Sequence, residues 1–228
     1  MREIVLDTET TGLDPFQGHR VVEIGCVELL NRIPTGNTFH RYLNPERDMP
    51  AEAFNVHGLS IEFLSDKPLF HDVCDELLAF LGDAVLIAHN ASFDYGFLCH
   101  ELERCKREAL IRDRVVDTLA LARRRHSAGP YSLDALCARY GIDNSKRTKH
   151  GALLDAEILA EVYLELIGAR QASLILLDDM NGQIGKRIAA AQRPIALPVR
   201  VTDADIAAHR DFVGTLGDTP LWRQYLPL

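Results

Sequence analysis

Cysteine chemistry has little to build on in this sequence. The five cysteines, Cys26, Cys74, Cys99, Cys105 and Cys137, are odd in number and never stand in a Cys-x-x-Cys pair, which excludes a zinc-ribbon or dithiol motif of that spacing and reads most simply as buried free thiols. No apolar run approaches membrane length, and Met1-Arg2-Glu3-Ile4-Val5-Leu6-Asp7 meets acid too early for a secretory leader. A cytoplasmic protein with no membrane partner is therefore expected. A broad basic face is missing as well: 33 acidic residues against 25 basic ones leave a net charge of −8, so any contact with a polyanion must be local. A small cluster of carboxylates meets that condition, because acids that repel phosphate when empty attract it once they hold cations.

What is present is the balance of an ordinary globular protein, 47% apolar and 25% charged over 228 residues, enough for one core plus an appendage. Residues 4–6 form a short apolar run ending at Asp7. Residues 21–30 and 39–43 add two strand-like segments separated by the turn-rich Asn31-Arg32-Ile33-Pro34-Thr35-Gly36-Asn37, and the three are expected side by side and antiparallel. Residues 68–81 carry Leu69, Val73, Leu77, Leu78 and Leu81 at helical spacing, and 84–88 read as an apolar strand that stops at His89-Asn90. Helices are expected over 93–105 and over 132–140, the second with a serine cap and a Gly141 stop, with a short strand at Val115-Val116 between them. Leu154, Ile158, Leu159, Val162 and Leu166 then recur every three or four residues and predict a last long helix over 151–167. The expected class is α/β, with one domain over 1–168, a linker over 169–200 where periodicity is lost, and a tail over 201–228.

The chemistry lies in three separated acidic motifs. In Asp7-Thr8-Glu9-Thr10-Thr11-Gly12 the strand period of two puts Asp7 and Glu9 on one side at the end of an apolar strand. In His89-Asn90-Ala91-Ser92-Phe93-Asp94, again after an apolar strand, Phe93 can enter the core while Asp94 faces the strand ends; a helix cap by Asn90 or Ser92 is the plainer reading. In His150-Gly151-Ala152-Leu153-Leu154-Asp155 the histidine precedes a helix and Asp155 lies about one turn inside it. Any one of these alone is weak, since solvated acids at element ends are common. Together they offer four carboxylates and a histidine. Oxygen ligands without thiols suit Mg²⁺ or Mn²⁺ better than zinc, and four negative charges match two divalent ions, which ~4 Å apart can clamp both oxygens of an in-line phosphoryl displacement. His150, an imidazole, can take the proton of an attacking water.

In this order and combination the three motifs resemble those of the DEDDh exonucleases of the ribonuclease H-like superfamily. The resemblance implies a ribonuclease H-like fold, a mixed five-stranded sheet flanked by helices, with an extended C-terminal tail. It implies that Asp7, Glu9 and Asp155 hold a catalytic metal, that Asp7, with Asp94 directly or through water, holds a second, and that His150 is the general base. Glu52-Ala53-Phe54-Asn55-Val56-His57-Gly58 matches too, which implies that Glu52 and His57, beside Asp7 and Glu9, touch the terminal nucleotide; taken alone, His57 reads equally well as a histidine ending a helix. Within the family the chain resembles the proofreading subunits of bacterial replicative polymerases. That likeness implies hydrolysis of the last phosphodiester at a DNA 3′ end with release of a nucleoside 5′-monophosphate, mispaired ends being favoured because they fray.

The likeness extends into the tail. Gln171-Ala172-Ser173-Leu174-Ile175-Leu176 resembles segments that dock on sliding clamps, through Gln171, Leu174 and Leu176, and reads equally as a helical extension. A capped helix is expected from Thr202 or Asp203. Ile206 on it, with Leu221 and the single tryptophan, Trp222, resembles the tail that binds the polymerase (alpha) subunit. The segment after 216 is too short to form a core alone. Two rivals remain: a stand-alone DEDDh ribonuclease, which gives no reason for the tail, and a non-catalytic adaptor, which gives none for the acidic cluster.

Overall fold

The computed structural model describes residues 1–145, 147, 149–169 and 201–216. They fall into two units, one within Met1–Leu176 and one within Leu177–Leu228. The first unit is built on strands β1 (Arg2–Thr10), β2 (Val21–Leu30), β3 (Ile33–Tyr42), β4 (Val85–Ala88) and β5 (Val115–Asp117) in the order β3-β2-β1-β4-β5. The first three strands pair antiparallel, whereas β4 runs parallel to β1 and β5 parallel to β4, the mixed five-stranded sheet that was expected. Helices α1 (Ala51–His57), α2 (Ile61–Leu64) and α3 (Phe70–Leu81) join β3 to β4, α4 (Ser92–Arg104) joins β4 to β5, and α5 (Thr118–Arg125), α6 (Leu133–Tyr140) and α7 (Ala152–Leu166) follow.

Ile4-Val5-Leu6 and Leu86-Ile87-Ala88 are unbroken apolar runs because both faces of the central strands are covered. Ile4, Leu6, Leu86 and Ala88 pack on α3 and α4 with Phe70, Leu77 and Phe97, whereas Val5 and Ile87 pack on α6 and α7 with Leu136, Leu159 and Val162. Asp7 and Glu9 continue the odd-numbered face and so point toward α7. A buried ion pair fixes the other side: Arg20, just before β2, reaches Glu101 of α4 through Nε at 2.7 Å and Nη2 at 3.0 Å.

Boundaries differ from expectation in informative places. The third strand starts at Ile33, not at residue 39, because Asn31 and Arg32 alone make the hairpin turn, with φ of 51° and 68°, the positive-φ pair of a two-residue turn. Pro34 and Gly36 concealed the strand, but β3 is an edge, where a missing N–H costs little. Ser132 caps α6 and Gly141 ends it with φ 67°, as expected. Helices α2 and α5 carry no clean apolar period and were not expected, whereas α1 ends at His57, the helix-terminal place that one reading of that residue gave it. No described helix is long and apolar enough to cross a membrane.

Close approach of α7 to the sheet depends on Gly25, which pairs with Asp7 across β1 and β2. A Cβ at Gly25 would lie 2.2 Å from the Leu153 N and 2.4 Å from the Ala152 O, a backbone clash no rotamer relieves. Gly25→Ala is therefore expected to push the start of α7 outward, lowering stability by ~1–3 kcal/mol and moving Asp155 away from Asp7. Thermal melting, together with the rise in melting temperature on adding divalent metal, checks both effects.

In the second unit α8 (Asp203–Gly214) begins with a capping box: Thr202 Oγ1 accepts from the Asp205 N–H at 3.3 Å and the Asp205 carboxylate from the Thr202 N–H at 2.8 Å. Ile206 is exposed on this helix. Gln171, Leu174, Leu176, Leu221 and Trp222 lie outside the described residues.

Candidate active site

Four elements deliver the motifs to one end of the sheet. The end of β1 presents Asp7 and Glu9, and the first turn of α7 presents Asp155, buried at 2% exposure. From the opposite face the first turn of α4 brings Asp94, buried at 3%, where the Thr8 hydroxyl donates to its Oδ1 at 2.7 Å. His150 sits in the loop before α7, and its backbone N–H donates to the Val56 carbonyl at 3.3 Å, tying that loop to α1. Glu9, His150 and Asp155 each offer a ligand atom, all within 4.8 Å of one another.

The electrostatics are those of carboxylates crowded out of water. Burial, then Asp94, Glu9 and Asp155, raise Asp7 well above the ordinary range. Burial, then Asp155, Glu23 and Asp94, push Glu9 up to about 8, and burial raises Asp94 to about 7 against the hydrogen bond from Thr8. Asp155 goes the other way: burial would raise it, but hydrogen bonds from His150 and Arg147 and the Arg147 charge bring it below the usual value.

Arg147 was not legible in the sequence, where Ser145-Lys146-Arg147-Thr148-Lys149 reads as a solvated loop. Its guanidinium meets both Asp155 oxygens, at 2.5 and 2.7 Å, both Asp134 oxygens, at 2.8 and 2.9 Å, and His150 Nδ1 at 2.8 Å. Glu23 was missed too. It faces Glu9 across β1 and β2, is 3% exposed, and lies 2.7 Å from His40 Nε2; a lone acid inside Val21-Val22-Glu23-Ile24 was the available signal.

Beside Glu9 opens a cavity of about 530 Å³. Leu13, Pro50, Val56 and Phe93 give it apolar walls, and Glu52 and His57 lie on its rim and floor. Phe93 packs on Phe97, ring centroids 4.9 Å apart, and is half-buried between the core it packs against, as expected, and this cavity, which it also lines. Ser92 does not cap α4 and neither does Asn90: the cap position is Ala91, with no side-chain bond, and Asn90 adopts φ 63°. His57 is buried, and burial lowers its pKa. Its Nδ1 accepts from the Leu59 N–H at 3.0 Å, which leaves the ring proton on Nε2, facing the Thr10 backbone without closing a hydrogen bond of good geometry.

The donor set fits divalent ions. Glu9 Oε1 is buried without a hydrogen-bond partner, and three acids raised first by burial, Asp7 and Glu9 also by neighbouring carboxylates, need positive charge beside them to ionise. Arg147 supplies one such charge at Asp155. An α/β sheet whose strand ends gather four carboxylates and a histidine beside a nucleotide-sized cavity defines the class of metal-dependent nucleases.

Comparison with known proteins agrees. The RNase T family model, described as exonuclease, matches residues 4–163. The DNA polymerase III subunit epsilon of Rickettsia felis is 47% identical over 222 residues, 95% of this chain and 97% of that one. Its counterpart in Escherichia coli K12 is 48% identical over 237 residues, covering 97% of each chain. Among solved structures, exonuclease X in complex with 5′ overhanging duplex DNA superposes with TM-score 0.59 at 26% identity, over 73% of this chain and 92% of that one. The nuclease domain of 3′hExo, a DEDDh family member bound to rAMP, gives TM-score 0.64 at 15% identity over 74% and 92%, a likeness of fold alone. The chain belongs to the exonuclease family, and within it to the epsilon subunits of DNA polymerase III.

Proposed function

We propose that Asp7, Glu9, Asp94 and Asp155 hold two divalent ions, Mg²⁺ or Mn²⁺, at which this 3′→5′ exonuclease removes mispaired nucleotides from DNA 3′ ends during replication. The observation that supports it best is the convergence of Glu9, His150 and Asp155, with ligand atoms within 4.8 Å, beside the apolar cavity. Bound divalent ions would neutralise phosphate charge and acidify a coordinated water.

The chain's own residues do the rest. Phe93 and Val56 receive the terminal base and sugar, while Glu52 and His57 contact the terminal nucleotide, His57 as an Nε2–H donor. His150 accepts the proton of the attacking water, and Arg147, which lies 2.8 Å from its Nδ1 and donates to Asp155 Oδ2 at 2.7 Å, ties the ring to α7. The product is a nucleoside 5′-monophosphate. Mismatch preference needs no base reading, because a frayed terminus enters the cavity more readily than a paired one.

The proposal extends to assembly. Residues 1–168 form the exonuclease domain, residues 169–200 a linker that docks on the sliding clamp through Gln171, Leu174 and Leu176, and residues 201–228 bind the alpha subunit through Ile206, Leu221 and Trp222, in the cytoplasm. Digestion of a 5′-labelled primer with a mispaired 3′ end, beside its RNA counterpart, tests the central reading. Metal-dependent shortening of the DNA, stopped by chelator and slower on RNA, is expected; preference for RNA replaces this reading with a ribonuclease.

A further inference from the structure

A second cavity, of about 610 Å³, opens on the other side of the carboxylates. Asp7, His150 and Asp155 form its inner wall, and Arg123, Tyr131 and Ser132 belong to its outer one. Scission of a phosphodiester leaves two arms, and a bond held at the acidic cluster has one cavity available for each. The first cavity, with Phe93 and apolar walls, suits a base; the second adds Arg123 and the Ser132 hydroxyl to its carboxylates, of which Asp134 and Asp155 are paired with Arg147, and so offers a sugar-phosphate chain a cation away from the acids.

Of the two arginines lining it, Arg147 is engaged by Asp134 and Asp155. Arg123 has no carboxylate partner among the described residues. It is exposed in the last turn of α5, near enough to His89 to lower that imidazole's pKa after burial and against Asp117 and Tyr131. Its neighbour Arg125 is turned away, donating to the Leu166 carbonyl at 3.0 Å. Ser132 Oγ accepts from the Ala135 N–H at 3.4 Å as the cap of α6, so its own O–H remains a donor toward the cavity. In a chain of net charge −8, an unpaired cation beside the acidic cluster is where a polyanion gains its local contact.

Building on the exonuclease reading, we infer that this second cavity is the track for the strand 5′ to the scissile bond, and that Arg123, with the Ser132 hydroxyl, binds a backbone phosphate upstream of the cut. Arg123 is thus a substrate-binding residue for strand and not for terminal nucleotide.

The test compares wild type, Arg123→Gln and Arg123→Lys on a single-stranded DNA octamer and on the p-nitrophenyl ester of thymidine 5′-monophosphate, which has no upstream phosphate. For Arg123→Gln the octamer-to-ester ratio of kcat/KM is expected to fall about tenfold, through KM, with the salt dependence of log KM weakened by about 0.7. Arg123→Lys should recover most of both. Equal losses on octamer and ester, or no loss on the octamer, overturn the inference. Failure of wild type to hydrolyse either substrate with metal present overturns the exonuclease reading beneath it, so the two failures are told apart.

Discussion

Asp7→Asn is expected to lower kcat on a DNA 3′ end by about 10³-fold or more, ~4 kcal/mol of barrier, while making the metal-free protein harder to melt. Both effects come from one property. Asp7 is raised well above an ordinary carboxyl by burial and by Asp94, Glu9 and Asp155, so its charge is a cost to the fold that a divalent ion held there would offset.

The sign of the pH dependence follows. Glu9 moves from 4.5 to about 8 and Asp94 from 3.8 to about 7; each binds its proton more tightly folded than unfolded. In chelator this stabilisation is fully present below the unfolded values near ~4 and is lost as pH climbs through ~7 to ~8. At ~1.4 kcal/mol for each tenfold change in proton affinity, Glu9 alone carries on the order of 5 kcal/mol. Melting temperature in chelator should fall across that window in wild type and fall less in Asp7→Asn, which melts higher at pH 8. Divalent metal should raise wild type strongly and the variant little. A variant that melts below wild type at pH 8 in chelator contradicts this account.

His150→Ala is expected to cost about 10²–10⁴-fold in kcat with a different signature. The ring is exposed on one side and held by Arg147 at Nδ1, while the carboxylates stay where β1, α4 and α7 put them. Metal-induced stabilisation should therefore survive largely intact, and free imidazole in the assay should restore part of the rate. Loss of metal stabilisation equal to that of Asp7→Asn would instead make His150 a ligand, which its place beside Glu9 and Asp155 also permits.

The three acidic motifs were legible because their chemistry fixes residue types at short spacing and each follows an apolar run or opens a helix. The same local logic gave α3, α4, α6 and α7 to within a residue or two, since their apolar periods reflect burial on one face. It failed at β3, where an edge position excuses Pro34, and it did not show that Phe93, packed against the core, also lines a cavity. Apolarity says that a side chain avoids water, not which of two surfaces it meets.

By itself, then, the sequence determined the class of chemistry: acids and a histidine in three motifs, and a sheet-and-helix frame able to gather them. Tertiary structure alone decided that Asp94 arrives from the face opposite Asp155, that Gly25 lets α7 sit against β2, that Arg147 and Glu23 share the site, and that two cavities meet at the carboxylates. These depend on distances between residues far apart in the chain. Local periodicity records which way a side chain faces, whereas close packing of a helix on a sheet sets what it touches.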